Sequence, residues 1–230
     1  MKGVRRLLAS VTIIGGLTTF ASSLLAQALV PPQADSFPQS YGEWAGRWSQ
    51  YTIGIPAAEN PIADPTGAQC QVGQWGPVFF LVGTGGGRAT RSCDVPADVG
   101  LFFPIIEILC AIPDDGNTPA EVVKACSPAI DAVARKSLSL TIDSKSVQNL
   151  TDNRASQFFS FTGAIPGFAA TSCTGVPNHC YEGFRNIGFT DGYWAMLNPL
   201  QPGQHTVRFK AEIPKAFSLD VTYHLNAVPR

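Results

Sequence analysis

The sequence predicts a mostly β protein: an antiparallel β-sandwich, of jelly-roll or immunoglobulin-like topology, with two short helical inserts. Three observations carry this expectation. The last two apolar segments alternate residue by residue. In 205–213, Val207, Phe209 and Ala211 share one face and Arg208 and Lys210 the other. In 217–228, Leu219, Val221, Tyr223 and Leu225 alternate with Asp220, Thr222, His224 and Asn226. Such period-two alternation marks strands with one dry and one wet face. Further apolar runs separated by turn residues bring the total to about seven or eight strands, enough for two packed sheets. Finally, the chain holds six cysteines, an even number that suits a stapled extracellular domain.

The cysteines matter because the chain opens like an export signal. Lys2, Arg5 and Arg6 form a basic end, residues 7–25 carry no charged side chain, and Ala26-Gln27-Ala28 supplies the small residues of a cleavage site. Residues 1–28 therefore read as a signal peptide. Residues 29–230 read as a single disulfide-stapled domain, secreted or periplasmic. The net charge of −1 becomes −4 once the three basic leader residues are removed. A mildly acidic chain with no basic run has no footprint for nucleic acid or anionic lipid. Neither nucleic acid nor membrane insertion after cleavage is expected.

The elements follow in order. Ser40-Tyr41-Gly42-Glu43 matches a capping box and opens a helix over 41–53. Tyr41, Trp44, Trp48, Tyr51 and Ile55 fall at spacings of three and four on one stripe, and Glu43 and Arg47 are placed for an i, i+4 pair. Residues 56–76, rich in Pro, Gly, Asn and Asp, read as a long loop. Residues 77–82 and 88–93 read as strands of a hairpin joined by the glycines of 83–87. The run 101–110 is a strand, at an edge or broken where Pro104 removes a ladder donor. Thr118-Pro119-Ala120-Glu121 is a second capping box for a helix towards Arg135, kinked or restarted at Ser127-Pro128. Residues 137–142, 156–162 and 186–197 are further strands. For the cysteines, nearest-neighbour pairing is favoured because each pair brackets a turn-rich stretch: Cys70–Cys93, Cys110–Cys126 and Cys173–Cys180. The pattern alone leaves other connectivities open.

Candidate functional residues are few. The aromatic stripe Tyr41, Trp44, Trp48 and Tyr51 is either the buried face of the helix or a platform for sugar rings or apolar ligands. Glu107 shares a period-two face with Leu101, Phe103, Ile105 and Leu109. A carboxyl desolvated there would have a raised pKa, as a general acid needs; the favoured alternative is that the strand ends near Ile106 and Glu107 reaches solvent, since buried Glu is rare unless paired. Asp191 or Asp64 could supply a second carboxylate for glycoside hydrolysis or elimination. The glycine loop 83–87 leads into a strand rather than a helix, which argues against a phosphate cradle. Arg88 and Arg91 beside it read as solvated charges. No metal or cofactor is expected: the cysteines lack zinc spacing, and the histidines are scattered.

Several short pieces together resemble a group of secreted bacterial proteins of about 230 residues. They are Tyr41-Gly42-Glu43-Trp44, Gly73-Gln74 leading into Pro77-Val78-Phe79-Phe80-Leu81, Leu101-Phe102-Phe103-Pro104, Asp191-Gly192-Tyr193-Trp194 and Pro202-Gly203-Gln204-His205-Thr206. The resemblance implies export and a shared fold, and it carries no activity or catalytic residue with it. The sequence thus favours an exported ligand-binding module, with a glycan or another cell-surface ligand as partner. An extracellular carboxylate-dependent hydrolase or lyase, or a structural envelope protein, are the alternatives.

Overall fold

In the computed structural model, residues 29–32, 37–162 and 185–230 are described. The leader and the Cys173–Cys180 pair lie outside the described residues. Alternating segments pair as expected into two sheets. Sheet one has the order β1 (Val78–Phe80), β3 (Gly100–Ile112), β7 (Arg185–Leu197), β6 (Arg154–Thr162). Sheet two has the order β2 (Gly87–Pro96), β9 (Phe217–Val228), β8 (Gly203–Ile213), β4 (Ser139–Ile142), β5 (Lys145–Ser146). The inner faces meet through Leu101, Phe103, Ala195 and Leu197 on one side and Val207, Phe209, Val221 and Leu225 on the other. Phe103 and Phe209 lie 5.0 Å apart, ring to ring.

The expected hairpin at 77–93 does not form. β1 runs parallel to β3, and β2 runs parallel to β9. The glycine-rich segment between them carries the chain from one sheet to the other instead of turning it back. Gly86 and Gly87 sit at φ +120° and +79°, conformations that other residues rarely adopt. Glycine composition signals such a break in direction but not the strand that follows it.

Each helix starts where its capping box placed it. For α1 (Tyr41–Gly54), the Ser40 hydroxyl accepts the Glu43 N–H at 3.2 Å, and Glu43 Oε2 accepts the Ser40 N–H at 2.7 Å. α1 lies on the outer face of sheet one, burying Tyr41, Trp44, Ala45 and Trp48 against Val78, Phe80, Phe102, Trp194 and Met196. Gly42 and Gly46 face β6 so closely that an added methyl would stand 3.1–3.2 Å from Ser156 and Gln157. α2 (Pro119–Asp131) runs unbroken through Ser127-Pro128 and stops short of Arg135. Pro128 is exposed, so the bond its missing N–H forfeits faces water. Cys126 of α2 is bonded to Cys110 of β3, and Cys70 to Cys93, with Cα separations of 6.5 and 6.1 Å. Both nearest-neighbour pairs among the described residues are thus present.

β3 is interior only at its start. Beyond Phe102 its free side meets no strand among the described residues. The Phe102 carbonyl faces β1, accepting the Leu81 N–H at 3.1 Å, so two residues on, the nitrogen of Pro104 faces the unpaired side. A bulge follows between Pro104 and Ile106, where Pro104 pairs with Trp194 and Ile106 with Tyr193. One extra residue in the strand reverses the parity of everything beyond it.

Arg91 is 1% exposed, contrary to its reading as a solvated charge. Its Nε donates to the Asp64 carbonyl at 2.8 Å, Nη2 to the Ile62 carbonyl at 3.2 Å, and Nη1 to the carbonyls of Val82 (2.5 Å) and Gly83 (2.9 Å) and to the Tyr223 hydroxyl (3.0 Å). The hydroxyl in turn donates to the Val82 carbonyl and accepts its N–H. Arg91→Met keeps the bulk and strands these acceptors in the core, so it should cost about 3–5 kcal/mol. Arg91→Lys, a point charge with three donors, should recover only part of that. Urea unfolding of the oxidised protein measures both. A loss below about 1 kcal/mol for the methionine variant would mean that the carbonyls find other partners.

Candidate functional site

The helical stripe is the helix's buried face, so it is not an open platform. Trp44 and Trp48 are each 3% exposed. The Trp48 indole donates to the Leu81 carbonyl at 2.9 Å and packs on Trp194. The Tyr41 hydroxyl donates to the Val30 carbonyl at 2.5 Å and accepts the Met196 N–H at 3.1 Å. Burial pushes the Tyr41 phenol far above its ordinary range. The reason for the correction is physical: a helix lying on a sheet must bury its most apolar stripe, and this stripe is that face. At its margin Tyr51 is partly exposed, and Trp44, though buried, borders the surface.

That margin forms one wall of a cleft of about 440 Å³, within the range of small-molecule sites. Trp44, Tyr51 and Phe80 line it together with Pro77, Trp75 and Arg47. Tyr51 and Phe80 pack at 5.3 Å and Trp44 and Phe80 at 6.2 Å, ring to ring. Trp75 is different, being 77% exposed. The loop that holds it is rigidly fastened. The Gln74 side-chain amide donates to the Tyr51 hydroxyl and to the Cys70 and Phe80 carbonyls, and its Oε1 accepts the Phe80 N–H, all at 2.9–3.0 Å. Gly73 and Gly76, at φ +66° and +85°, make the turns that push Trp75 outward. Trp75 also borders a smaller recess of about 100 Å³ on its other side, lined by Gln71, Val99 and Arg230.

Sequence reading passes over Trp75. The signal is Gly73-Gln74-Trp75-Gly76-Pro77, an indole between glycines in a segment with no alternation to bury it. The Trp44 indole N–H is enclosed without a hydrogen-bond partner among the described residues.

The carboxylates do not assemble. The bulge moves Glu107 off the face of Leu101, Phe103 and Ile105 and onto the face covered by α1. It pairs there with Gly192, while Asp191 pairs with Ile108 and points to the opposite face. The two therefore stand on opposite sides of one sheet and cannot flank a shared bond. Asp191, 2% exposed, is gripped by Arg154 through Nε–Oδ1 at 3.0 Å and Nη2–Oδ2 at 2.7 Å, and Arg154 also reaches Asp131 at the end of α2. This is an ion pair fastening α2 to β6 and β7. Asp64 spends its carboxylate on the Thr66 N–H and hydroxyl and the Gln69 N–H, closing its own loop. Cys110, Asp115 and Cys126 lie together, but the two sulfurs are bonded to each other, so this cluster offers no thiolate to a metal.

Glu107 itself has Oε2 enclosed and unpartnered, as is the Thr190 hydroxyl on the same face. Desolvation raises its pKa from the ordinary 4.5 to about 7. No protein-family model, curated protein or solved structure matches the chain.

An acid with a raised folded-state pKa destabilises the fold as pH climbs. Above the unfolded value the unfolded chain has ionised while the buried group still holds its proton, and the cost levels off once pH passes about 7. Glu107→Gln should therefore match the parent near pH 4 and exceed it by about 3 kcal/mol near pH 8. Thermal unfolding of both across that range checks this. A constant difference would show that Glu107 does not titrate in a dry site.

Proposed function

We propose that this chain is an exported ligand-binding domain that takes a flat-faced ligand, of which a saccharide ring is the best fit, in the cleft beside α1. The observation that carries the reading is Trp75: a tryptophan 77% exposed, held on a fastened loop at the rim of an aromatic cleft. Leaving an indole in water forfeits a few kcal/mol of burial. Its position is stabilised by bonds from its neighbours, not by its own packing. Sugar rings present apolar C–H faces that stack on such indoles, and their hydroxyls need polar groups at the margin, which Arg47 and Gln50 provide. Two disulfides and the leader-like first 28 residues support a location outside the cytoplasm. Among the described residues no helix is long and apolar enough to cross a membrane. The resemblance to secreted bacterial proteins points the same way.

Two measurements test this. Expressed with its leader in a bacterial host, the protein should be recovered outside the cytoplasm with Leu29 as its first residue. Material retaining residues 1–28 would refute cleavage. On an oligosaccharide array followed by calorimetry, the parent should bind and Trp75→Ala should bind at least about tenfold more weakly with unchanged thermal stability. Trp48→Phe, inside the helix–sheet seam, should lower stability while sparing affinity. Equal affinity of the parent and Trp75→Ala would remove the cleft from the function.

A further inference from the structure

The cleft beside α1 holds a cation and no anion. Arg47 lines it, and none of the other lining residues is acidic. The guanidinium carbon stands over the Trp44 ring, 5.2 Å from its centre, a cation–π contact that restrains the group without using its N–H donors. Helical spacing would give Arg47 a partner in Glu43, one turn earlier. The capping box takes that carboxylate instead: Glu43 Oε2 accepts both the Ser40 N–H at 2.7 Å and the Ser40 hydroxyl at 2.9 Å. Those bonds, more than the proximity of Arg47, hold the Glu43 carboxyl below its ordinary pKa. No ion pair between Glu43 and Arg47 is formed, and among the described residues Arg47 takes part in no salt bridge.

Most other arginines differ in this respect. Arg88 and Arg208 face Asp220, Arg154 faces Asp131 and Asp191, Arg230 faces Asp98, and Arg91 is filled by carbonyls. The arginine on the wall of the aromatic cleft has no hydrogen-bond or ion-pair partner among the described residues, and it lines the same cleft as the exposed indole of Trp75.

We infer that the cleft selects an acidic saccharide: a uronate ring laid on Trp75, with its carboxylate held in the fork of Arg47. This inference rests on reading the cleft as a saccharide site and adds the charge of its ligand. A planar guanidinium matches a planar carboxylate with two parallel hydrogen bonds, and the apolar walls of Phe80 and Pro77 reduce the screening of that pair. The protein as a whole is mildly acidic, so the attraction is local to the cleft. It does not come from long-range steering.

Short oligomers of galacturonate, mannuronate and glucuronate, together with their methyl esters, test the inference by calorimetry on the full exported protein. At least one acid should bind about tenfold or more tighter than its ester, which keeps the ring and removes the charge. Added salt should erode that preference. Arg47→Gln should bring the acid down to the affinity of the ester and leave the ester unchanged. Arg47→Lys should keep only part of the preference, because a point charge lacks the fork. Trp75→Ala should weaken acid and ester alike. Acid and ester binding equally well, or only neutral oligosaccharides binding, would overturn the assignment of charge and leave the saccharide reading intact. Failure of every acidic and neutral oligosaccharide to bind would overturn both.

Discussion

A guanidinium buried among backbone carbonyls organises this molecule. Arg91 stands on β2 of one sheet and reaches the stretch that continues β1 of the other, while the rest of its fork closes on the loop at Ile62 and Asp64. The hydroxyl of Tyr223, its neighbour across the β2–β9 pairing, accepts the Val82 N–H and donates to the Val82 carbonyl. Two residues along β2, Cys93 holds the loop again through Cys70. Between these points Gly67 sits against Ser92, with room for no side chain, since a Cβ would stand 2.3 Å from the Ser92 carbonyl oxygen. A loop of some twenty residues with no regular strand would ordinarily be mobile. Here its backbone carbonyls are the ligands of a buried cation, so it is as fixed as the sheets.

That fixation extends to the cleft. The loop's last turn carries Gln74, which ties Tyr51 of α1, Cys70 of the loop and Phe80 of β1 into one polar knot. α1 is in turn seated by Trp48 on Leu81 and by Tyr41 on the peptides of Val30 and Met196. The cleft is therefore built from three segments far apart in the chain, none of which could hold it alone. The ordering cost that flexible binding loops meet when they close on a ligand is here already met on folding.

Much of the fold was legible. Both capping boxes mark helix starts, the alternation of β8 and β9 identifies their inner faces, and two of the nearest-neighbour cysteine pairs stand as the turn-rich spacing suggested. What was not legible shares a cause: periodicity tells which residues of one element face alike, and nothing about partners. Thus 77–82 and 88–93 read as a hairpin when each belongs to a different sheet. The stripe of Tyr41, Trp44 and Trp48 was legible as a stripe, but whether it met sheet or solvent was not. Glu107 was placed by counting in twos from Leu101, and the bulge after Pro104 invalidates the count. Arg91 and Trp75 invert the usual rule that charge is outside and indole inside, each for reasons lying in distant segments.

The Pro104 bulge has a consequence for the protein in company with its own copies. Beyond Phe102 one margin of β3 carries main-chain groups that no other strand among the described residues covers, and such a margin ordinarily invites a neighbouring molecule to add its own strand. A proline whose ring occupies the first open donor position, followed at once by a kink that twists the backbone out of register, spoils that template for several residues. A protein so protected can be crowded at high concentration without its sheets joining edge to edge.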